Sequence, residues 1–156
     1  MTVLHACHPD DVRRYDTDRL RDNFLVETLM EPYRFHFAYA HYDRFVIGGV
    51  VPVDAPLELP AYEEVLKANF FLERRELGII HVGGGPGTVL ADGEQFNLDK
   101  LDGLYLGKGT RSVAFVSRDP ENPARFFLAS APAHAAHPAP RLTGAAATPV
   151  NMSATG

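Results

Sequence analysis

From residue 70 to residue 116 the chain is a series of short apolar runs, each stopped by a glycine-rich or Asp-Gly turn, with no segment of helical period between them. Only antiparallel β-structure accommodates that pattern. Residues 77–82 read as a strand. Gly83-Gly84-Gly85-Pro86-Gly87 after it reads as a hairpin turn, because successive residues without a Cβ let the chain reverse. No Lys-Ser/Thr and no helix follow these glycines, so they lack what a phosphate cradle needs. Thr88-Val89-Leu90-Ala91 then meets Asp92-Gly93, the signal for a two-residue type I′ turn, and Glu94-Gln95-Phe96-Asn97-Leu98 returns with apolar residues two apart. Leu104-Tyr105-Leu106, the Gly107-Lys108-Gly109 turn and Ser112-Val113-Ala114-Phe115-Val116 complete the region with further β-formers.

The flanks follow the same logic. Asp16-Thr17-Asp18 reads as a cap before a short helix with Leu20 and Phe24 on one face. From Tyr33 to Tyr39 the period becomes two, with Tyr33, Phe35, Phe37 and Tyr39 on one side, either inside a barrel or against a neighbour. Residues 44–53 form the next strand, in which Gly48-Gly49 marks a bulge or a close backbone contact. Prolines 52, 56 and 60 bound a loop and a helical turn at residues 62–67, and residues 124–129 form a last strand. Past Pro138 the composition shifts to Ala, Pro, Thr and Gly. The chain is therefore expected to divide into an arm at residues 1–15, one β-domain at 16–138 and a linker at 139–156 leading toward a second domain.

The order of strand, hairpin, strand, glycine turn and strand is that of a cupin, a small antiparallel barrel or jelly roll, so the fold class is mainly all-β with a short N-terminal helix. In the cupin pattern, two His separated by one residue, a Glu and a third His normally hold a metal. Phe70-Phe71-Leu72, Leu77 and Ser112 stand at those positions here. None can ligate Zn²⁺ or Fe²⁺, which require imidazole, carboxylate or thiolate, so the expected metal site is none.

Composition narrows the partners. A net charge of −5 and a pI near 5.8 argue against a nucleic acid, whose phosphates require clustered Lys and Arg. No run of about 18 apolar residues is present for a membrane span, and the first residues read without a signal peptide. Cys7 is the single cysteine and cannot form an internal disulfide, which suits a reducing cytoplasm.

Several clusters invite chemistry. His5, Cys7, His8, Asp10 and Asp11 could ligate a metal, but no second ligand pair stands at a characteristic spacing, and a frayed terminus explains them. His36 and His41 have opposite parity along a strand and read as ordinary hydrogen-bonded histidines. His134 and His137 are flanked by prolines and read as surface. Glu73-Arg74-Arg75-Glu76 interrupts the apolar region. It is either a solvated strand end, with ion pairs worth under about 1 kcal/mol each, or a place where Arg74 or Arg75 offers a guanidinium fork to a sugar carboxylate. No catalytic residue can be named from these patterns.

Residues 71–78 (FLERRELG), with DNFLVE at 22–27, DRFVIGG at 43–49, LYLGKG at 104–109 and APAH at 131–134, closely resemble the amino-terminal half of 5-keto-4-deoxyuronate isomerase over almost all of residues 15–150. The resemblance implies a two-cupin chain of nearly twice this length. That family interconverts 5-dehydro-4-deoxy-D-glucuronate and 3-deoxy-D-glycero-2,5-hexodiulosonate in the breakdown of pectin and other uronate polymers. It further implies a hexameric homo-oligomer, a uronate-derived keto sugar as small-molecule partner, and a zinc site in the carboxy-terminal cupin, with no cofactor in the half at hand. On that reading the chain is inactive alone. Two alternatives stand beside it: a sugar-acid-binding or scaffolding cupin using Arg74, Arg75 or Lys108, and a metal cupin using His36, His41 and His81.

Overall fold

The computed structural model describes residues 1–148 and 150. Eleven strands come in the order β1 (Thr2–Leu4), β2 (Phe35–Ala40), β3 (Phe45–Val50), β4 (Leu57–Glu58), β5 (Arg75–Gly83), β6 (Gly87–Ala91), β7 (Glu94–Leu98), β8 (Gly103–Leu106), β9 (Val113–Ser117), β10 (Arg125–Pro132) and β11 (Arg141–Leu142). Helices are short: α1 (Pro9–Val12) and α2 (Thr17–Phe24) precede β2, and α3 (Glu63–Leu66) precedes β5. Among the described residues no helix is long and apolar enough to cross a membrane. The strands form one sheet ordered β1-β2-β3-β10-β5-β8-β11 and another ordered β4-β9-β6-β7, antiparallel except where β1 joins β2. The fold is thus the expected all-β, cupin-type jelly roll with a short N-terminal helix.

Alternation builds the interior. Along β5, Arg75, Leu77, Ile79, His81 and Gly83 are buried while Ile80 and Val82 are exposed, the two-residue period of a strand with one covered face. Leu77 and Ile79 meet Phe126 and Leu128 of β10, Leu104 and Leu106 of β8, and Val89, Phe96, Leu98 and Phe115 of the small sheet in one core cluster. Phe115 and Phe126 contact ring to ring at 5.3 Å, a packing worth about 1 kcal/mol beyond the area buried.

Some local expectations hold in detail. Asp92 and Gly93 both take positive φ, as a type I′ turn demands, and join β6 to β7. Asp16 caps α2 by accepting from the Arg19 N–H at 2.9 Å. Gly48 is a close contact rather than a bulge, since a Cβ there would lie 2.2 Å from the Phe37 ring.

Others are corrected. The glycine run 83–87 is not a hairpin turn. Both edges of β5 are already paired, to β10 and β8, so the chain must leave the sheet, and it starts β6 in the other one. Gly84 makes the crossing at φ +79°, where a Cβ would fall 1.9 Å from the Pro123 carbonyl oxygen. The aromatic strand begins at Phe35, since Tyr33 turns with φ +68° and is exposed. Phe35, Phe37 and Tyr39 pack against the core. The first residues are not frayed, because β1 lies parallel to β2.

The sequence past Pro138 is not free of strand either, since β11 pairs with β8. Asp102 accepts from Arg141 Nη2 at 2.7 Å and from the Gly144 N–H at 2.8 Å, which ties this segment to the domain. Residue 149 and residues 151–156 of the expected linker lie outside the described residues.

Candidate functional site

Three places could carry chemistry: the interior where a cupin metal would sit, the arginine pair at the start of β5, and a cavity beside α2. The positions at which cupin ligands would stand offer no metal donor. Leu72 and Leu77 are buried in the core, Phe70 lies beneath the Arg111 guanidinium at 5.4 Å, and Ser112 is exposed on a loop whose backbone N–H donates to Asp92 Oδ1 at 2.8 Å. Among the described residues no three His, Cys, Asp or Glu side chains are grouped to hold a metal ion. Hydrocarbon and one solvated hydroxyl at these positions do not fit a zinc ion.

Adjacent in sequence, Arg74 and Arg75 are opposite in environment because successive strand residues face opposite ways. Arg74 is exposed and donates to the Lys67 carbonyl at 3.2 Å. Arg75 is 7% exposed. Its Nε donates to Ser130 Oγ at 3.0 Å, and its Nη2 donates to the Ser130 and Arg44 carbonyls, each at 2.8 Å. Burial holds its pKa below the ordinary guanidinium value; Tyr39 works against that shift and Arg44 adds to it. The fork that could have gripped a carboxylate thus fastens β5 to β10 and to the turn before β3, where Asp43 and Arg44 both have positive φ. Lys108 is half-buried in the Gly107-Gly109 turn.

A cavity of about 550 Å³ lies between α2, the segment after it, and the β1–β2 edge, lined by Arg21, Glu27, Asp18, Asp22, Thr28 and His36 among others. Arg21 is ion-paired with Glu27. His36 Nε2 approaches Glu31 Oε2 to 2.6 Å, off the line a hydrogen bond needs, so the two attract as an ion pair whenever the ring is protonated. Carboxylates outnumber free cations around this space. It suits hydroxyl groups or a cation better than a sugar carboxylate.

The histidines of the metal-cupin alternative do not converge in a metal cluster among the described residues. His41 stands beyond the end of β2, stacked on His5 at 5.0 Å between ring centroids. His81 is fully buried at the far end of β5 from Arg75. Its Nε2 donates to the Gly85 carbonyl at 3.0 Å, and its Nδ1 has no partner. Burial lowers its pKa, outweighing the pull of the Gly85 carbonyl, Asp99 and Asp102 toward the cation, and the ring stays neutral.

Sequence reading missed two features. Asp102, just before β8, is 4% exposed and anchors the chain after β10. Burial opposes its ionisation, but Arg141 and the N–H groups of Gly144 and Asp99 outweigh that and hold the carboxyl below its usual range. The cavity was missed too; its one sequence signal was the charged residues crowded into positions 18–27.

No protein-family model matches the chain. It is 47% identical over 152 residues to the 4-deoxy-L-threo-5-hexosulose-uronate ketol-isomerase of Halalkalibacterium halodurans, covering 97% of this chain and 54% of that relative. The enzyme of the same name from Formosa agariphila is 44% identical over 148 residues, covering 95% and 52%. The ketol-isomerase 1 of Bacteroides thetaiotaomicron is 45% identical over 150 residues, covering 96% and 53%. The chain spans about half the length of the curated relatives it matches. Among solved structures, a cupin protein from Bacteroides fragilis aligns with a TM-score of 0.41 at 16% identity, covering 60% of this chain and 69% of that one, a likeness too distant to bear on the site.

Proposed function

The chain belongs to the 4-deoxy-L-threo-5-hexosulose-uronate ketol-isomerase family, and from that premise we propose that it is the amino-terminal, metal-free cupin half of such an isomerase. The whole enzyme converts 5-dehydro-4-deoxy-D-glucuronate to 3-deoxy-D-glycero-2,5-hexodiulosonate in uronate degradation in the cytoplasm. The observation that carries the metal-free part is the apolar filling, Leu72 and Leu77 above all, where cupin ligands would stand. Moving a proton between C1 and C2 of a ketose needs a base within reach of both carbons and an electrophile on the adjacent oxygens. The described residues assemble no such pair, and we assign no step of the reaction to them. The half acts as a scaffold, self-associating as the family resemblance implies, and does not turn over alone.

Isomerase activity on 5-dehydro-4-deoxy-D-glucuronate, with metal content by mass spectrometry on the same chelator-free sample, tests this. The expected result is neither turnover nor stoichiometric metal. Turnover together with one metal ion per chain would overturn the proposal.

A further inference from the structure

The outer face of the small sheet carries a chain of hydrogen bonds whose direction is fixed by its first member. On β6, Val89 and Ala91 enter the core, so Thr88 and Leu90 face outward. On β7, Phe96 and Leu98 enter the core, so Gln95 and Asn97 face outward beside them. Thr88 and Asn97 are register partners, and Gln95 stands two residues back along β7. Arg118, one residue past β9, reaches over β6 to this group. Its Nε donates to Thr88 Oγ1 at 3.2 Å, and Thr88 is only 5% exposed although it lies on an outer face.

A guanidinium can only donate, so the Thr88 oxygen accepts and the hydroxyl proton must go elsewhere. It goes to Asn97 Oδ1 at 3.0 Å, and Gln95 Nε2 donates to that same oxygen at 3.0 Å. One polar atom of each side chain is thereby tied inside the cluster, which fixes which atoms remain for a ligand. Among the described residues, Arg118 Nη1 and Nη2 and Asn97 Nδ2 have no acceptor, and Gln95 Oε1 has no donor. Arg118 has no ion-pair partner among them either. Its neighbour Asp119 accepts from the Glu121 N–H at 3.0 Å, and neither Glu58 of β4 nor Asp99 after β7 is paired with the guanidinium.

We propose that this cluster is a binding site for a hydroxylated carboxylate such as a sugar acid. The end of the guanidinium presents two donors in one plane, the arrangement that a carboxylate meets with both oxygens. Asn97 Nδ2 adds a third donor, and Gln95 Oε1 accepts from a ligand hydroxyl. Two residues along a strand span about 6.6 Å, so the carboxylate and the hydroxyl are read at opposite ends of a sugar ring. The inference goes beyond the scaffold role proposed above and does not rest on it, since binding here requires neither metal nor turnover. It also uses none of Arg74, Arg75 and Lys108.

Titration of the isotope-labelled full chain with D-galacturonate, followed by nitrogen–proton correlation spectra, tests this. Saturable shifts are expected at the side-chain amides of Asn97 and Gln95 and at Arg118 Nε–H. D-Galactose, which lacks the carboxylate, and inorganic phosphate, which lacks the ring hydroxyls, are expected to bind at least about tenfold more weakly. Arg118→Gln is expected to weaken galacturonate binding at least about tenfold. Asn97→Asp is expected to do the same, because it keeps the oxygen that Thr88 and Gln95 bond and replaces the donor with a charge that repels the ligand. Both residues are exposed, so an unchanged Tm is expected in each variant. Absence of saturable shifts with galacturonate, or undiminished binding by Arg118→Gln, overturns the site. Phosphate that binds as tightly as galacturonate overturns the ligand class.

Discussion

Replacing Arg75 by alanine is expected to remove about 3 kcal/mol of stability. The guanidinium supplies donors to three acceptors, of which the Ser130 hydroxyl and carbonyl are buried while the Arg44 carbonyl is nearer water. A buried acceptor stripped of its donor costs about 1–3 kcal/mol, so the two buried ones account for about 4 kcal/mol between them. Relief of the desolvation of a buried cation without a carboxylate partner offsets part of that. Urea unfolding followed by far-UV circular dichroism measures the result, since the chain has no tryptophan. With a typical slope of about 2 kcal/mol per molar urea, the midpoint falls by about 1.5 M. Arg74→Ala is the matched control and is expected to stay within about 0.5 kcal/mol of wild type, because that side chain is exposed and holds one carbonyl at 3.2 Å. Amide exchange should quicken at Arg44 and Phe45 in the Arg75 variant alone. If Arg75→Ala unfolds at the wild-type midpoint, the guanidinium is not a structural tie and its role as a carboxylate fork is open again.

Two further outcomes follow from buried ionisable groups. His81 has a folded pKa below its unfolded value, so above about pH 6.5 it adds no pH dependence; as pH falls below that, the unfolded chain takes up a proton the folded chain refuses. Stability is therefore expected to fall on acidification from pH 7 to 5 by up to about 1.4 kcal/mol per unit, and His81→Gln to flatten the profile, as measured by urea midpoints at each pH. Asp102 has a linkage of the same sign at lower pH. Its depressed carboxyl pKa gives stability that is present above about pH 4 and lost as pH falls through the folded value, and Asp102→Ala should free residues 141–147 to exchange their amides rapidly at neutral pH while costing about 2 kcal/mol.

Much of the fold was legible because it is written in local chemistry. Asp92-Gly93 can adopt the two positive φ values of a type I′ turn, and Asp16 can accept from the first turn of α2, wherever they occur. The two-residue period of β5 fixes which residues face inward once one face is covered. That Leu72, Leu77 and Ser112 offer no metal donor follows from their side chains in any conformation.

Pairing was not legible, because a strand does not encode its neighbours. The glycines at 83–87 permit a reversal and a crossing alike, and only the occupation of both β5 edges by β8 and β10 selects the crossing. Arg75 carries a fork fit for a carboxylate. Tertiary structure alone brings Ser130, 55 residues away, and the Arg44 carbonyl to fill it. Asp102 becomes an anchor only when the chain past β10 returns along β8. The sequence determined the β-alternation, the turns and the absence of ligating side chains at the cupin positions, since each depends on a residue and its near neighbours. Tertiary structure decided which polar groups are consumed in holding the sandwich together and which are left on its outer faces, since those depend on contacts between residues far apart in the chain.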